Sequence, residues 1–403
     1  MLRVPGFARL YAGLLLGRVG GTMWLLILVL FVLERYQSPQ LAGVTAFLAI
    51  LPGLLLAPVA GALLDRFGRA PLVVADYLIA AAAAGLIAGL SALNALPPQA
   101  LLTIVTLASL TNPLSNAGAR SLFPSLVPRT LWERANALDS SGHVIANLAA
   151  APLAGTLVGL VGGERAMAAA GAIFLAAALV MVRLPEPVRT RPAEGSVLRN
   201  AWRGLSYVVR NPTLRGLAAT ISTLNLGSGV LYIALPVLVL DRLHSGPATV
   251  GLLWGAMGAG GLIAALLVGR FSSLGRERQM MVVAILINAI AIAVLPFAGS
   301  LAVVAAAVVV LGAANGPLDI ALFTLRQRRT DPAWFGRAFA VSMSVNYIGS
   351  PIGSALAGPL VAWSLNAALW FAVIVTLVAA LFPFLSVPAR DEAALVSASG
   401  RKS

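Results

Sequence analysis

Twelve stretches of about 20 mostly apolar residues, parted by short breaks of Pro, Gly and charge, constrain this chain more than any other feature. Each is long enough to cross roughly 30 Å of hydrocarbon as a helix, which satisfies every backbone hydrogen bond within the segment itself. The expected limits are 10–33, 41–64, 71–92, 100–122, 137–160 and 165–184, then 214–240, 248–269, 279–298, 301–325, 337–362 and 365–386. Hydrophobic residues make up 59% of the 403 and charged residues only 10%, more apolar side chain than a soluble core can bury. The expected fold class is an all-α membrane protein with 12 transmembrane helices.

The longest polar stretch, Leu184 to Pro212, carries Pro185, Pro187, Pro192 and several Arg, and divides the spans into six and six. The expected organisation is a six-helix bundle over 1–184, a cytoplasmic linker over 185–213, a second bundle over 214–386 and a cytoplasmic tail over 387–403. The apolar run after Arg9 continues to Leu33 with no small-residue cleavage site behind it, so it reads as the first span and not as a cleaved signal peptide.

A net charge of +14 invites a nucleic-acid reading, but the charges fall in short loops on one side. With the N-terminus inside, the cytoplasmic segments collect 24 of the basic residues, including Arg3, Arg66, Arg69, Arg120, the cluster from Arg183 to Arg215 and Arg326 to Arg329. The outside keeps three, Arg35, Arg165 and Arg242. The positive-inside rule then gives N-in and C-in, with the lipid bilayer as partner and no nucleic acid. The chain has no Cys, and His143 and His244 lie far apart, so no metal and no other cofactor is expected. Phosphate-loop, His-Glu-x-x-His and aqueous Ser/His/Asp patterns are absent, so no enzyme activity is expected.

The halves are related. Leu33-Glu34-Arg35-Tyr36-Gln37-Ser38 closes span 1 and Leu240-Asp241-Arg242-Leu243-His244-Ser245 closes span 7, at an offset of 207. A second register, at 203, pairs Asn112 with Asn315, Arg134 with Arg337 and Gly155 with Gly358. Parallel six-span halves of this kind form transporters whose substrate path lies at their interface.

The loop after span 2, Gly61-Ala62-Leu63-Leu64-Asp65-Arg66-Phe67-Gly68-Arg69, resembles the signature of the major facilitator superfamily between its second and third spans. Arg120-Ser121-Leu122-Phe123-Pro124 with Glu133-Arg134-Ala135-Asn136 is similar to the bacterial branch that includes macrolide-efflux and enterobactin-export proteins. The resemblance implies two pseudo-symmetric bundles. It also implies a conformational latch at Gly61, Asp65, Arg66, Gly68 and Arg69 that holds the halves together on the cytoplasmic side in the outward-open state. Span 4 carries Asn112 and Asn116 where many drug/proton antiporters of the superfamily carry an Arg.

Ionisable groups inside a span cost about 2.5 kcal/mol or more unless they are paired or wet, so each is a candidate. Arg18, about nine residues into span 1 and roughly 14 Å along the helix, can anchor an anionic group or a proton-carrying acid, or can brace the fold through a carboxylate. Asp139, His143 and Asn147 recur at helical spacing and form one polar stripe on span 5, where two titratable groups can exchange a proton. Asp139 can instead brace the inner end of that helix. Asp319 follows the Asn315-Gly316-Pro317 break and reads as a proton or cation site, or as a partner of Arg326 or Arg328. Asp76 reads as a brace to Arg120 or to the signature loop, and so joins the latch. Gly17, Gly20 and Gly21 suit close packing, and Trp24 offers a flat apolar wall.

Aligned at these offsets, Arg18 meets Asn225, His143 meets Asn346, Asp139 meets Ser342 and Asp319 meets Asn116. Each titratable candidate faces a neutral polar residue in the other half. The expected function is a secondary active transporter, working as a monomer by rocker-switch alternation and exporting amphipathic or lipophilic small molecules, with protons as the candidate coupling ion. The alternatives are an importer or facilitator of an organic anion anchored by Arg18 and, more remotely, a membrane sensor or lipid-handling scaffold.

Overall fold

The computed structural model describes residues 4, 6–128, 131–182, 184, 197–271, 273–331 and 334–387. Among them the secondary structure is helical: α1 (Phe7–Tyr36), α2 (Pro39–Phe67), α3 (Arg69–Ala92), α4 (Pro98–Leu126), α5 (Trp132–Met181), α6 (Val197–Arg210), α7 (Pro212–Val237), α8 (Pro247–Val268), α9 (Glu277–Val294), α10 (Leu301–Arg328), α11 (Phe335–Trp363) and α12 (Leu365–Ser386). Nine segments among the described residues are long and apolar enough to cross a membrane. One of them, α5, holds two of the expected spans, and α4 and α11, each 29 residues long, complete the twelve.

The 50 residues of α5 would run ~75 Å if straight, more than twice the hydrocarbon thickness. Gly162 breaks the run with φ 83 and ψ 161, a backbone conformation that side-chain-bearing residues rarely adopt. The chain turns back there, so α1 is flanked by both arms: Thr22 lies beside Asn147 on the first, and Gly20 beside Phe174 on the second. Gly163 N donates to Glu34 Oε2 at 2.8 Å, which ties the turn to the end of α1. Gly68 plays a comparable part between α2 and α3, which it separates alone with φ 99, its N–H donating to Leu64 O at 3.1 Å.

The repeat read from sequence is present in the backbone. Gln37, the C-cap of α1, and His244, two residues past the π-helical Leu238–Arg242 that continues α7, are related by 207 residues and both lie in the left-handed region, at φ 49 and φ 47. α5 and α11 likewise begin 203 residues apart, and so do α4 and α10.

Two compact units result. The first comprises 1–197 with Leu235–Gly255 and Ser354–Ala362. Its core joins Phe7, Leu10 and Leu14 of α1 to Val73 and Tyr77 of α3 and to Ala177 and Met181 of α5. Glycines let backbones meet without interleaved side chains in this unit: a Cβ on Gly155 of α5 would lie 2.7 Å from Gly251 Cα of α8, and one on Gly358 of α11 would lie 2.6 Å from Gln40 Cα of α2. The second unit comprises 198–234, 256–353 and 363–403. Leu217, Ile221 and Leu224 of α7 pack there with Met281 and Ile285 of α9, Leu318 and Leu322 of α10 and Ala379 of α12.

Candidate functional site

Arg18 and Asp139 meet in the first unit. Arg18 Nη2 donates to Asp139 Oδ1 at 2.5 Å, and Nη1 donates to the Asp139 backbone carbonyl at 3.1 Å. The side chains keep 16% and 26% of their exposure, so the pair is sheltered but open on one side. Such a charge-assisted contact satisfies a cation that would otherwise be very costly at this depth. Arg18 is thus paired with a carboxylate of another helix.

Around the pair the polar groups fall in two layers. One turn along, Thr22 Oγ1 approaches Asn147 Oδ1 at 3.5 Å, and His143 lies exposed between Asp139 and Asn147 on the same face. Behind α1, Tyr77 of α3 lies directly over Gly17, its hydroxyl where a Cβ would be, so the glycine admits an aromatic ring against the helix backbone. Trp24 stands edge-on to Phe174, with centroids 6.4 Å apart, and that ring in turn tilts against Tyr77 at 6.3 Å. The Trp24 wall is therefore partly committed to packing.

Asp76 is 4% exposed and hydrogen-bonds Ser115 and Thr111 of α4. The expected partner, Arg120, has a side chain outside the described residues, as do Gly61 and Asp65 of the latch. Arg66 is exposed and stacks over Phe67, its guanidinium 5.2 Å from the ring. Asn112 and Asn116 pair with each other on an exposed face of α4, Asn116 Nδ2 donating to Asn112 Oδ1 at 2.6 Å.

The second unit builds a different centre from the equivalent helices. Asn225 Nδ2 of α7 donates to the Asn346 carbonyl of α11 at 2.8 Å. With its amide oriented to satisfy both ends, Asn346 donates to Ser342 O at 3.0 Å and accepts from Arg326 Nη2 at 2.9 Å. Arg326 Nη1 also lies 3.2 Å from Met343 Sδ, and the residue is 1% exposed. The bond from α7 falls at 346, one turn past the position that the 203 register pairs with Asp139. Asn225 thus bonds a backbone carbonyl 121 residues on, the same separation at which Arg18 Nη1 bonds the Asp139 carbonyl.

Neither Arg326 nor Arg328 takes Asp319 as an ion-pair partner. Arg328 pairs with the buried Glu277 of α9, and Asp319 is exposed. Asn288 Nδ2 reaches Asn315 Oδ1 at 3.4 Å, one turn from Asp319. Sequence reasoning missed Tyr77, Thr111, Ser115 and Met343, and read Arg326 as a partner of Asp319. Only the spacing of Thr111 and Ser115, one turn apart on the face toward Asp76, could have pointed to any of them.

Apolar crossing helices, an internal two-fold repeat and charged groups held in pairs within the spans define an α-helical membrane transporter of the major facilitator fold. The chain belongs to the transmembrane secretion effector family of that superfamily, which it matches over residues 2–401. It is 38% identical over 388 residues to an uncharacterized transporter of the superfamily, y4rN, from Sinorhizobium fredii, covering 96% of each chain. It is 30% identical to the multidrug efflux pump Tap of Mycobacterium tuberculosis, covering 89% of this chain and 87% of that one. Macrolide efflux protein A of Streptococcus pyogenes is 22% identical, covering 92% and 93%. The fold matches a bacterial homologue of the iron transporter ferroportin, in an inward-facing state, with TM-score 0.74 at 20% identity over 96% of this chain and all of that one. It also matches the nucleoside transporter NupG, with TM-score 0.74 at 13% identity over 95% and 99%.

Proposed function

We propose that this protein is a secondary active exporter of amphipathic or lipophilic small molecules, which it exchanges for protons by rocker-switch alternation. The observation that carries the reading is the Arg18–Asp139 pair, a sheltered carboxylate open on one side and held by a cation on a neighbouring helix. Protonation of Asp139 cancels its charge and releases the guanidinium, and loss of the proton restores the pair, so a proton changes the bonding between α1 and α5 directly. His143, exposed on the same face of α5, is the relay toward water. Asp319 is an exposed carboxylate on α10, in the second half.

Three further features support export of apolar compounds. Two of the relatives, Tap and macrolide efflux protein A, are named as efflux proteins. Aromatic Trp24 lines the same helix as Arg18, and only 10% of the chain is charged, which suits lipophilic substrates better than sugars. The glycine seams of α2 with α11 and of α5 with α8 place backbone on backbone, a contact that can part without disentangling side chains. Gly68, with the Asp65, Arg66 and Arg69 around it, serves as the conformational latch. The arginine-rich ends of the helices face the cytoplasm, with both termini on that side. All groups named lie in one chain, so a monomer suffices. An anion importer anchored by Arg18 is disfavoured, because that guanidinium already holds a carboxylate and a carbonyl.

The test is accumulation of a macrolide and of a lipophilic dye in cells lacking their own pumps. Wild-type expression lowers accumulation, a protonophore abolishes the difference, and Asp139→Asn behaves like the empty vector. Equal accumulation in wild-type and empty cells would overturn the export reading, and export that survives both protonophore and Asp139→Asn would overturn proton coupling.

A further inference from the structure

The polar stretch between the halves contains a helix whose outward face no transport step uses. α6 (Val197–Arg210) reads Val-Leu-Arg-Asn-Ala-Trp-Arg-Gly-Leu-Ser-Tyr-Val-Val-Arg. One side is docked. Val208, 2% exposed, packs with Leu214 of α7 and Val341 of α11. Tyr207 stacks on Trp334 with centroids 5.0 Å apart and planes 4° from parallel, and its hydroxyl accepts from Asp331 N at 3.1 Å. Asn211 then fixes the level of the helix: its Oδ1 accepts from Leu214 N at 3.1 Å at the start of α7, and its Nδ2 donates to Arg329 O at 3.2 Å just past the end of α10. α6 therefore sits where two spanning helices leave the hydrocarbon.

The opposite side is sorted by chemistry. Trp202 is 70% exposed and Val209 51%, and seven residues of separation put them on one stripe. Arg203 and Arg210, also exposed and also seven apart, form a second stripe about 100° around the helix. A large indole left open to water on a short helix is unfavourable. Beside a row of guanidinium groups at the mouth of the hydrocarbon, it matches the pattern of a helix lying in a headgroup layer, with rings at the acyl boundary and cations at the phosphates. We propose that α6 is a docking surface for anionic phospholipid: Trp202 and Val209 enter the interface while Arg203 and Arg210 bind headgroup phosphates. The occupant carries negative charge because the polar stripe offers cations and no carboxylate. Through Asn211 the lipid surface is joined to the first turn of α7. The inference goes beyond the export reading and stands on the position and face of one helix.

The absence of native Cys allows a clean test on the full chain. Val209→Cys carrying a nitroxide is reconstituted in nanodiscs of phosphatidylcholine alone and of phosphatidylcholine with about one part in three phosphatidylglycerol, and its collisions with a water-soluble nickel chelate and with oxygen are measured. Nickel accessibility is expected to fall about threefold in the anionic discs and oxygen accessibility to rise. Adding Arg203→Glu and Arg210→Glu is expected to return the label to its nickel-accessible state with no change in melting temperature in detergent, which shows that the fold is kept. Equal accessibility in the two lipids overturns the proposal, and so does protection that persists in the charge-reversed chain, because the contact is then apolar or with protein. The readout is lipid contact, so failure of the export reading would leave it unaffected.

Discussion

The α1–α5 junction of the first unit and the α7–α11 junction of the second come from one repeated scaffold and hold unlike chemistry. Arg18 meets a carboxylate, sheltered yet partly open, whereas Asn225 meets only a backbone carbonyl. The charge of the second junction, Arg326, has been drawn into a 1% exposed site against Asn346 and Met343. An ion pair contains a carboxylate that can take up a proton, while an amide–carbonyl bond contains no titratable group. The proposed mechanism puts switching at the first junction and bracing at the second, although the helices are equivalent in the repeat.

The contrast breaks most severely at Asp139. Asp139→Asn removes the carboxylate and leaves Arg18 without its counter-ion, so export coupled to a proton gradient should fall at least about tenfold, measured as substrate efflux from proteoliposomes. Arg18→Ala with Asp139→Asn should recover much of the stability lost by either change alone, a coupling of ~2 kcal/mol by a thermal double-mutant cycle.

A similarly large effect on transport is expected at the α5–α8 seam. Gly251→Val places a side chain against the Ala151 carbonyl and Gly155, which the seam has no room for. The seam should then stay open. Labelling of a single Cys introduced beside it should rise several-fold, with little loss of substrate affinity.

Smaller effects sharpen the comparison on the bracing side. Asn225→Leu removes one neutral bond and should cost about 1 kcal/mol of stability while leaving the proton dependence of export as in wild type. Gly17→Ala drives a methyl into Tyr77, which should cost about 1–3 kcal/mol, and Tyr77→Leu in the same chain should restore most of it. The smallest thermal effect belongs to Asp319→Asn, an exposed position whose loss should shift stability by less than about 0.5 kcal/mol, so any change in export there reports transport itself.

The spans were legible because hydrocarbon demands long apolar helices, and the repeat was legible because Leu33-Glu34-Arg35 and Leu240-Asp241-Arg242 close equivalent spans and Asn112 and Gly155 recur as Asn315 and Gly358. Paired polar groups were harder to read. Arg18 and Asp139 stood out as charges in apolar runs, but that they meet is a fact of tertiary packing across 121 residues. The partners of Asp76 on α4 are hydroxyls, which any apolar helix tolerates and which therefore carry little signal. Asp319 illustrates the converse: two arginines close in sequence suggested partners, and helix packing gave one to Glu277 and buried the other against α11. The fold of α6 was hidden by the prolines around it, since the Pro and Arg of that stretch read first as linker.

Everything in the proposed mechanism passes through the sheltered carboxylate, so the most direct measurement is proton movement driven by substrate. Proteoliposomes loaded with a pH-sensitive dye and given an outward gradient of a transported lipophilic cation should show inward proton flux with wild type, and none above the lipid leak with Asp139→Asn. Equal substrate-driven proton flux from the two proteins would contradict the account.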